Sequence, residues 1–295
     1  MVSLSNLKEL SFLVYGLGLT GQSVVKFFRR KKITNFTVWD DTNNKIFKNK
    51  RVTKLNKALN EVDYIVLSPG VSLSNSKNKD KLIRYKKKII TDIDLFYLVN
   101  KNLKSIVITG TNGKSTTCKM ISHLLKKNKF KVLLGGNIGT PILNLNVKKN
   151  SFAIIEASSF QLSHSKYICP DYAFLLNITI DHLDWHGNMQ NYINSKFKIF
   201  KLQKKNQFAF INDKFKKIFK KKKFLSKLIT PKLKNYIKIK SKIRNIYLKS
   251  DINDENMSNV YTFSKILRIS RSSFIKAMNS FVGLPHRYEI FLKKK

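Results

Sequence analysis

The segment SIVITGTNGKSTTCKMISHLLKKN, residues 105–128, decides the fold. It opens as an apolar run suited to a buried strand, turns through GTNGKSTT (110–117), and continues in a helical period. A glycine-rich turn between strand and helix gathers backbone N–H groups and the positive end of the helix at one point, which makes a cradle for phosphate. The commonest such loop places four residues between its first Gly and the Gly-Lys-Ser/Thr. Here only Thr111 and Asn112 separate Gly110 from Gly113, and the longer loop would have to begin at Ile108. Lys114 is expected to neutralise the outer phosphates and Ser115 to reach Mg2+.

The same theme recurs on both sides. LSFLVY (10–15) enters GLGLTG (16–21), which leads into the helical QSVVKFFRRKK, and FTVWDD then reads as a second strand ending in acid. YIVLSPG (64–70) is another strand running into glycine, and a fresh strand-helix pair occupies 88–99. KVLLGGNIG, FAIIEASS and DYAFLLNIT are three further strands ending in small or polar residues. Strands alternating with helices predict a parallel α/β architecture whose ligands gather at the carboxyl ends of the strands. Residues 214–250, rich in Lys and Ile, predict irregular strands, and 254–281 predict helix.

Gly16-Leu17-Gly18-Leu19-Thr20-Gly21 fits the G-x-G-x-x-G turn that brings backbone close to a diphosphate, with Asp40 about 20 residues on, where an acid meets a ribose. The motif does not distinguish NAD from another nucleotide diphosphate. Glu156, ending FAIIE, is placed to ligate a nucleotide-bound Mg2+. NITIDHLDWHG brings Asn177, Asp181, His182, Asp184 and His186 together, and His186 is expected at the surface.

Composition narrows the class. With 295 residues, 42% hydrophobic, the chain suits about two domains with ordinary cores. Cys118 and Cys169 form no metal-finger spacing, which suits a reducing compartment. The N-terminus does not read as a signal peptide and no run of about 18 apolar residues occurs, so a cytoplasmic location without a membrane span is expected. Against 17 Asp+Glu stand 58 Lys+Arg, a net charge of +41. The lysines are spread over the sequence, including KKIFKKKK (216–223), without aromatics at a stacking spacing, so solvated faces are expected rather than a specific nucleic-acid partner.

GLGLTG, SPGVSL, GTNGKSTT, GGNIGTPIL, EASSFQL, NITIDHLD, YINSK and GLPHR, in this order, make the chain resemble the Mur ligases, and within them the enzymes that add D-glutamate. The resemblance implies a Rossmann-like parallel-sheet domain at 1–94 for the UDP end of the substrate. It also implies a P-loop type Mur ligase central domain at 95–284 for ATP. It implies an ATP- and Mg2+-dependent ligase that joins D-glutamate to UDP-N-acetylmuramoyl-L-alanine through an acyl phosphate, in peptidoglycan precursor synthesis.

By motif match, Gly110, Thr111, Asn112, Gly113, Lys114, Ser115 and Thr116 would hold the ATP phosphates, with Asn256 near the adenine and Arg287 facing the phosphates. The histidine often found before the first asparagine of that adenine-side stretch is Ile252 here. Ser115 and Glu156 would hold one Mg2+, and His182 with Lys196, the latter as a carbamate, a second; Lys198 is set aside. Lys114, Lys196 and His182 would carry catalysis. Leu19, Thr20, Asp40 and Ser68 would hold UDP, and Asn137 and Ser158 the muramoyl part.

The chain ends eight residues after Arg287, so a third, C-terminal domain is expected to be absent, with 285–295 a stub of it. A shortened reading frame, a separate polypeptide completing the enzyme, or a derived two-domain protein, monomeric or complexed, would each account for that. Competing expectations are another Mur or folylpolyglutamate-synthase-like ligase, a non-catalytic nucleotide-binding remnant, and an NAD-dependent oxidoreductase, which leaves GTNGKSTT and Glu156 unexplained.

Overall fold

The computed structural model describes residues 4–42, 47–73 and 76–283, so Arg287 and the 285–295 stretch lie outside the described residues. Among the described residues ten strands form two sheets, with every strand pairing parallel. The first sheet contains β1 (Phe12–Tyr15), β2 (Phe36–Trp39), β3 (Tyr64–Leu67) and β4 (Ile89–Ile90), in the order β2-β1-β3-β4. The second contains β5 (Lys104–Thr109), β6 (Lys131–Gly136), β7 (Ser151–Glu156), β8 (Tyr172–Leu175), β9 (Phe208–Ile211) and β10 (Lys227–Ile229), in the order β10-β9-β8-β5-β7-β6.

The strands are continuous apolar runs because helices cover both faces of a parallel sheet. β1 is buried at all four positions, as are all six residues of β7. Helix Leu19–Arg30 turns Val24, Val25, Phe27 and Phe28 inward, and helix Lys114–Lys127 turns Met120, Ile121, Leu124 and Leu125 inward. Each of these large side chains contributes roughly 1.5–3 kcal/mol by leaving water. Their spacing of three and four residues is the helical period already visible in the sequence.

One core runs through both sheets, joining Phe12, Val14 and Phe28 to Val107, Ala153 and Ile155. Polar contacts reinforce this joint. Lys166 N and Tyr167 N donate to Asp94 Oδ1 at 2.8 and 2.7 Å. Thr91 Oγ1 lies 2.9 Å from Ser165 Oγ, and Gln161 Nε2 donates to Asp92. Asp92, fully buried, is pushed up to about 6 by burial.

Strand order sets where ligands can sit. The chain leaves β1 toward one edge and β3 toward the other, so a crevice opens beyond the carboxyl ends of this neighbouring pair. The same reversal occurs between β5 and β8. GLGLTG and SPG flank the first crevice, and GTNGKST and NITIDH flank the second.

The structure corrects the expectation for 214–250. Only β10 is a strand there; Lys216–Lys221, Leu233–Lys240 and Ile246–Lys249 are helical. Phe219, Tyr236, Ile239, Ile243 and Leu248 are buried anchors, and the lysines between them are exposed except Lys240, which pairs with Asp251 and Asp254. The lysines of 216–223 are all exposed. Among the described residues, no helix is long and apolar enough to cross a membrane.

Candidate functional site

At the β5/β8 crevice, the loop after β5 is shaped by the loop after β8. Asn177 O accepts from Thr111 N at 3.0 Å, Asn177 Oδ1 accepts from Asn112 N at 2.8 Å, and Asn177 Nδ2 donates to Asn112 O at 3.1 Å. Gly113 caps the following helix with φ +80°, and a Cβ there would sit 2.4 Å from Asn256 Oδ1. Only glycine combines that backbone with that neighbour. Asn256 also accepts from Thr117 Oγ1 at 3.3 Å, so helix Asp254–Ile266 brings its polar end to the loop. Thr116 Oγ1 lies 3.4 Å from Tyr247 OH.

Lys114 Nζ donates to Gly110 O and Thr111 O at 2.9 and 2.7 Å and lies over the loop. Ser115 Oγ donates to Glu156 Oε2 at 2.8 Å, and Asn137 Nδ2 donates to Glu156 Oε1 at 3.0 Å. Three expected residues, from the ends of β6 and β7 and the start of the helix after β5, thus meet at one buried carboxylate. Mg2+ takes oxygen ligands and is commonly held by one or two protein oxygens plus phosphate oxygens and water. Ser115 and Glu156 fit that donor set.

Lys196 is 2% exposed on helix Met189–Phe197. Its Nζ donates to Gly110 O at 2.8 Å and stands 4.5 Å from the centre of the Tyr192 ring. Burial, with Lys114 nearby, pulls its ammonium down to about 7, while Asp181 opposes the shift. His182 has left-handed backbone, φ 53°, with Nε2 3.3 Å from Asp181 Oδ2 and its ring 4.7 Å from Phe160. The His182 and Tyr192 ring centroids are 6.3 Å apart, so His182 and Lys196 are both neighbours of Tyr192. Among the described residues, no group of three His, Cys, Asp or Glu could by itself hold a metal ion. Lys198 lies elsewhere, donating to Ser163 O and pulled down to about 8 by burial.

His186 departs from the surface position expected for it. It is 7% exposed, with Nε2 3.0 Å from Ser159 Oγ, and burial lowers it to about 4. The short helix Leu183–His186 turns it inward among Phe160, Trp185 and Tyr192. Ser158 caps helix Ser159–His164 in a reciprocal box with Gln161. Its hydroxyl therefore serves the helix end, accepting from Gln161 N and donating to Gln161 Oε1, both at 3.2 Å.

At the β1/β3 crevice a cleft of about 710 Å³ is lined by Leu19, Thr20, Asp40 and Ser68, all four expected UDP residues, and by Trp185 from the second sheet's side. Asp40 Oδ2 accepts from Leu17 N at 2.5 Å and Oδ1 from Thr42 N at 2.9 Å; Ser68 Oγ donates to Gly16 O at 2.7 Å. These bonds make the turn rigid. A Cβ on Gly21 would lie 1.9 Å from Gly16 O, so glycine is what lets the helix close onto the turn. Asp41 was not singled out by sequence. It also lines the cleft and accepts from Tyr15 OH, Trp39 Nε1 and Asn78 Nδ2, each at 2.9 Å.

Residues 108–273 match the family model described as Mur ligase middle domain, and 10–84 match that of the Mur ligase MurD-like N-terminal domain. The UDP-N-acetylmuramoylalanine--D-glutamate ligase of Rickettsia felis is 37% identical over 303 residues, 94% of this chain and 67% of the relative. That of Rickettsia prowazekii is 38% identical, with the same coverage. The chain thus spans about two thirds of the length of these relatives. Among solved structures, the UDP-N-acetylmuramate-alanine ligase MurC of Thermotoga maritima aligns with TM-score 0.52 at 16% identity, covering 97% of this chain and 71% of that one. A UDP-N-acetylmuramate:L-alanyl-gamma-D-glutamyl-meso-diaminopimelate ligase from Neisseria meningitides aligns at 0.57 and 12%, covering 92% and 98%. At these identities the likeness is one of fold.

Proposed function

The chain belongs to the Mur ligase family, and we propose that it acts in the D-glutamate-adding step of peptidoglycan precursor synthesis, activating the carboxylate of UDP-N-acetylmuramoyl-L-alanine with ATP. Residues 1–94 take the UDP end of the substrate and 95–284 take ATP. The relatives' name supports D-glutamate as the amine.

The observation that carries this reading is the meeting of Ser115, Asn137 and Glu156 beside the phosphate loop. In the proposed reaction a carboxylate oxygen attacks the γ-phosphorus and ADP leaves. The amine nitrogen then attacks the acyl carbon, phosphate leaves, and the nitrogen loses a proton to give the amide. Two anions must approach in the first step, so fixed positive charge is the largest contribution the protein can make. The loop N–H groups and the Lys114 ammonium supply it. Ser115 and Glu156 would hold Mg2+, which when bound adds further charge neutralisation on the phosphates. Asn137 keeps the Glu156 carboxylate oriented.

Lys196, with its ammonium pulled down to about 7, offers free amine at neutral pH. That form can add CO2, and as a carbamate Lys196 would, with His182, present oxygen and nitrogen to a second Mg2+. The UDP cleft fixes the far end of the substrate through the GLGLTG turn and Ser68. Trp185, from the helix Leu183–His186, lines the same cleft.

Hydroxylamine, which converts acyl phosphates to hydroxamates, tests the reaction type. The chain given Mg-ATP and UDP-N-acetylmuramoyl-L-alanine is expected to yield the hydroxamate and ADP in equal amounts, and Lys114→Ala to yield neither. ADP formed without hydroxamate would contradict carboxylate activation.

A further inference from the structure

Helix Met189–Phe197 touches the phosphate loop through two side chains one turn apart, and only one of them is accounted for by the reading above. Lys196 reaches Gly110 O. Tyr192, with no exposed surface, places its OH 3.0 Å from Thr111 Oγ1. Thr111 Oγ1 is itself shared, donating toward Thr179 O at 3.3 Å and accepting from Thr179 N at 3.0 Å. A threonine hydroxyl has one proton. With that proton directed at Thr179 O, the phenol is the donor in the Tyr192–Thr111 bond. Burial raises the phenol's pKa and so keeps that donor in place.

Thr111 is therefore a knot. Through its backbone N–H and its hydroxyl it fastens the phosphate loop to the strand-end segment 177–179, and through Tyr192 to the helix that carries Lys196. The Tyr192 ring extends the same arrangement, with the Lys196 ammonium over its face and His186 5.2 Å away. The hydroxyl of Thr111 is occupied by these partners, so its contribution to a bound phosphate is made by holding the backbone still.

We propose that Tyr192 is a positioning residue for nucleotide binding: its hydroxyl, acting through Thr111, fixes the phosphate loop relative to the helix that bears Lys196. The proposal rests on the reading of 110–116 as the ATP-phosphate loop and adds the element that sets its geometry. The bond is worth what one net hydrogen bond contributes, so its loss should weaken Mg-ATP binding about fivefold.

Calorimetric titration of the full chain with Mg-ATP and, separately, with UDP tests this in wild type, Tyr192→Phe, Thr111→Val and the double variant. Tyr192→Phe is expected to lose about fivefold in Mg-ATP affinity, and Thr111→Val, which also deletes the two bonds to Thr179, at least as much. The double variant should be no weaker than Thr111→Val alone, because that change already deletes the link that Tyr192→Phe removes. Affinity for UDP should stay unchanged in all three, and Thr111→Ser should restore the Mg-ATP value. Losses that multiply in the double variant, an unchanged Tyr192→Phe affinity, or a parallel loss of UDP binding would each overturn the proposal. A wild-type chain that binds no Mg-ATP would instead overturn the assignment of the loop itself.

Discussion

Replacing Lys196 with Met should change how stability depends on pH by an amount the structure fixes. The Lys196 ammonium is 2% exposed and pulled from its ordinary 10.5 to about 7. Below pH 7 both folded and unfolded chains carry the proton, and the folded state bears the full cost of the buried charge. Between 7 and 10.5 the unfolded chain still binds the proton and the folded one does not, so stability rises with pH. Each pH unit in that window is worth ~1.4 kcal/mol, which gives ~2.7 kcal/mol between pH 7 and 9.

Other groups titrate nearby, Lys198 at about 8 and the buried Cys118 thiol well above its usual value, but they are common to both proteins and cancel in the difference. Urea unfolding of wild type and Lys196→Met at pH 7, 8 and 9, in buffer free of CO2, is the assay. Wild type should gain about 2–3 kcal/mol on the variant across the range. Parallel pH profiles for the two proteins would refute the claim that Lys196 is buried with a lowered pKa.

Gly113→Ala should lower stability by about 2 kcal/mol and abolish detectable Mg-ATP binding, because left-handed backbone and the Asn256 amide both oppose a Cβ; thermal melts and nucleotide titration check it. Asp92 is held at about 6 against an ordinary 3.8, so the folded state keeps a proton the unfolded state has lost, and stability falls as pH rises through that window. Asp92→Asn should remove that fall and raise stability at pH 7 by up to ~3 kcal/mol, read from denaturation at pH 4 and 7. Asp40→Ala frees Leu17 N and should weaken UDP binding about tenfold with Mg-ATP affinity unchanged, as titration with each nucleotide would show.

Much of this was legible because parallel sheets write their function at strand ends. GLGLTG and GTNGKSTT each follow a short apolar run, and the structure puts both at crevices where strand order reverses. Glu156 ends a wholly buried strand, where a carboxylate can only be facing a partner. The stretch 214–250 was not legible in the same way. Tyr236 and Ile239 are three residues apart in a lysine background, a pattern too sparse to separate one helical turn from a short strand.

Long-range hydrogen bonds were the other loss. Asn177 and Tyr192 shape the phosphate loop from 65 and 81 residues away, and their importance lies in geometry that spacing does not encode. His186 looked like a surface residue because its polar neighbours in sequence, Asp184 and Asn188, gave no sign that Phe160 and Tyr192 would enclose it.

The central claim is that one chain carries two separate nucleotide sites, one for ATP at the β5/β8 crevice and one for the uridine diphosphate of the substrate at the β1/β3 crevice. Calorimetric titration of the chain with Mg-ATP, with UDP-N-acetylmuramoyl-L-alanine, and with each in the presence of the other tests it directly. The account predicts one equivalent of each bound together, with Lys114→Ala losing only the first and Asp40→Ala weakening only the second. Mutual exclusion of the two ligands, or a single variant that removes both, would contradict it.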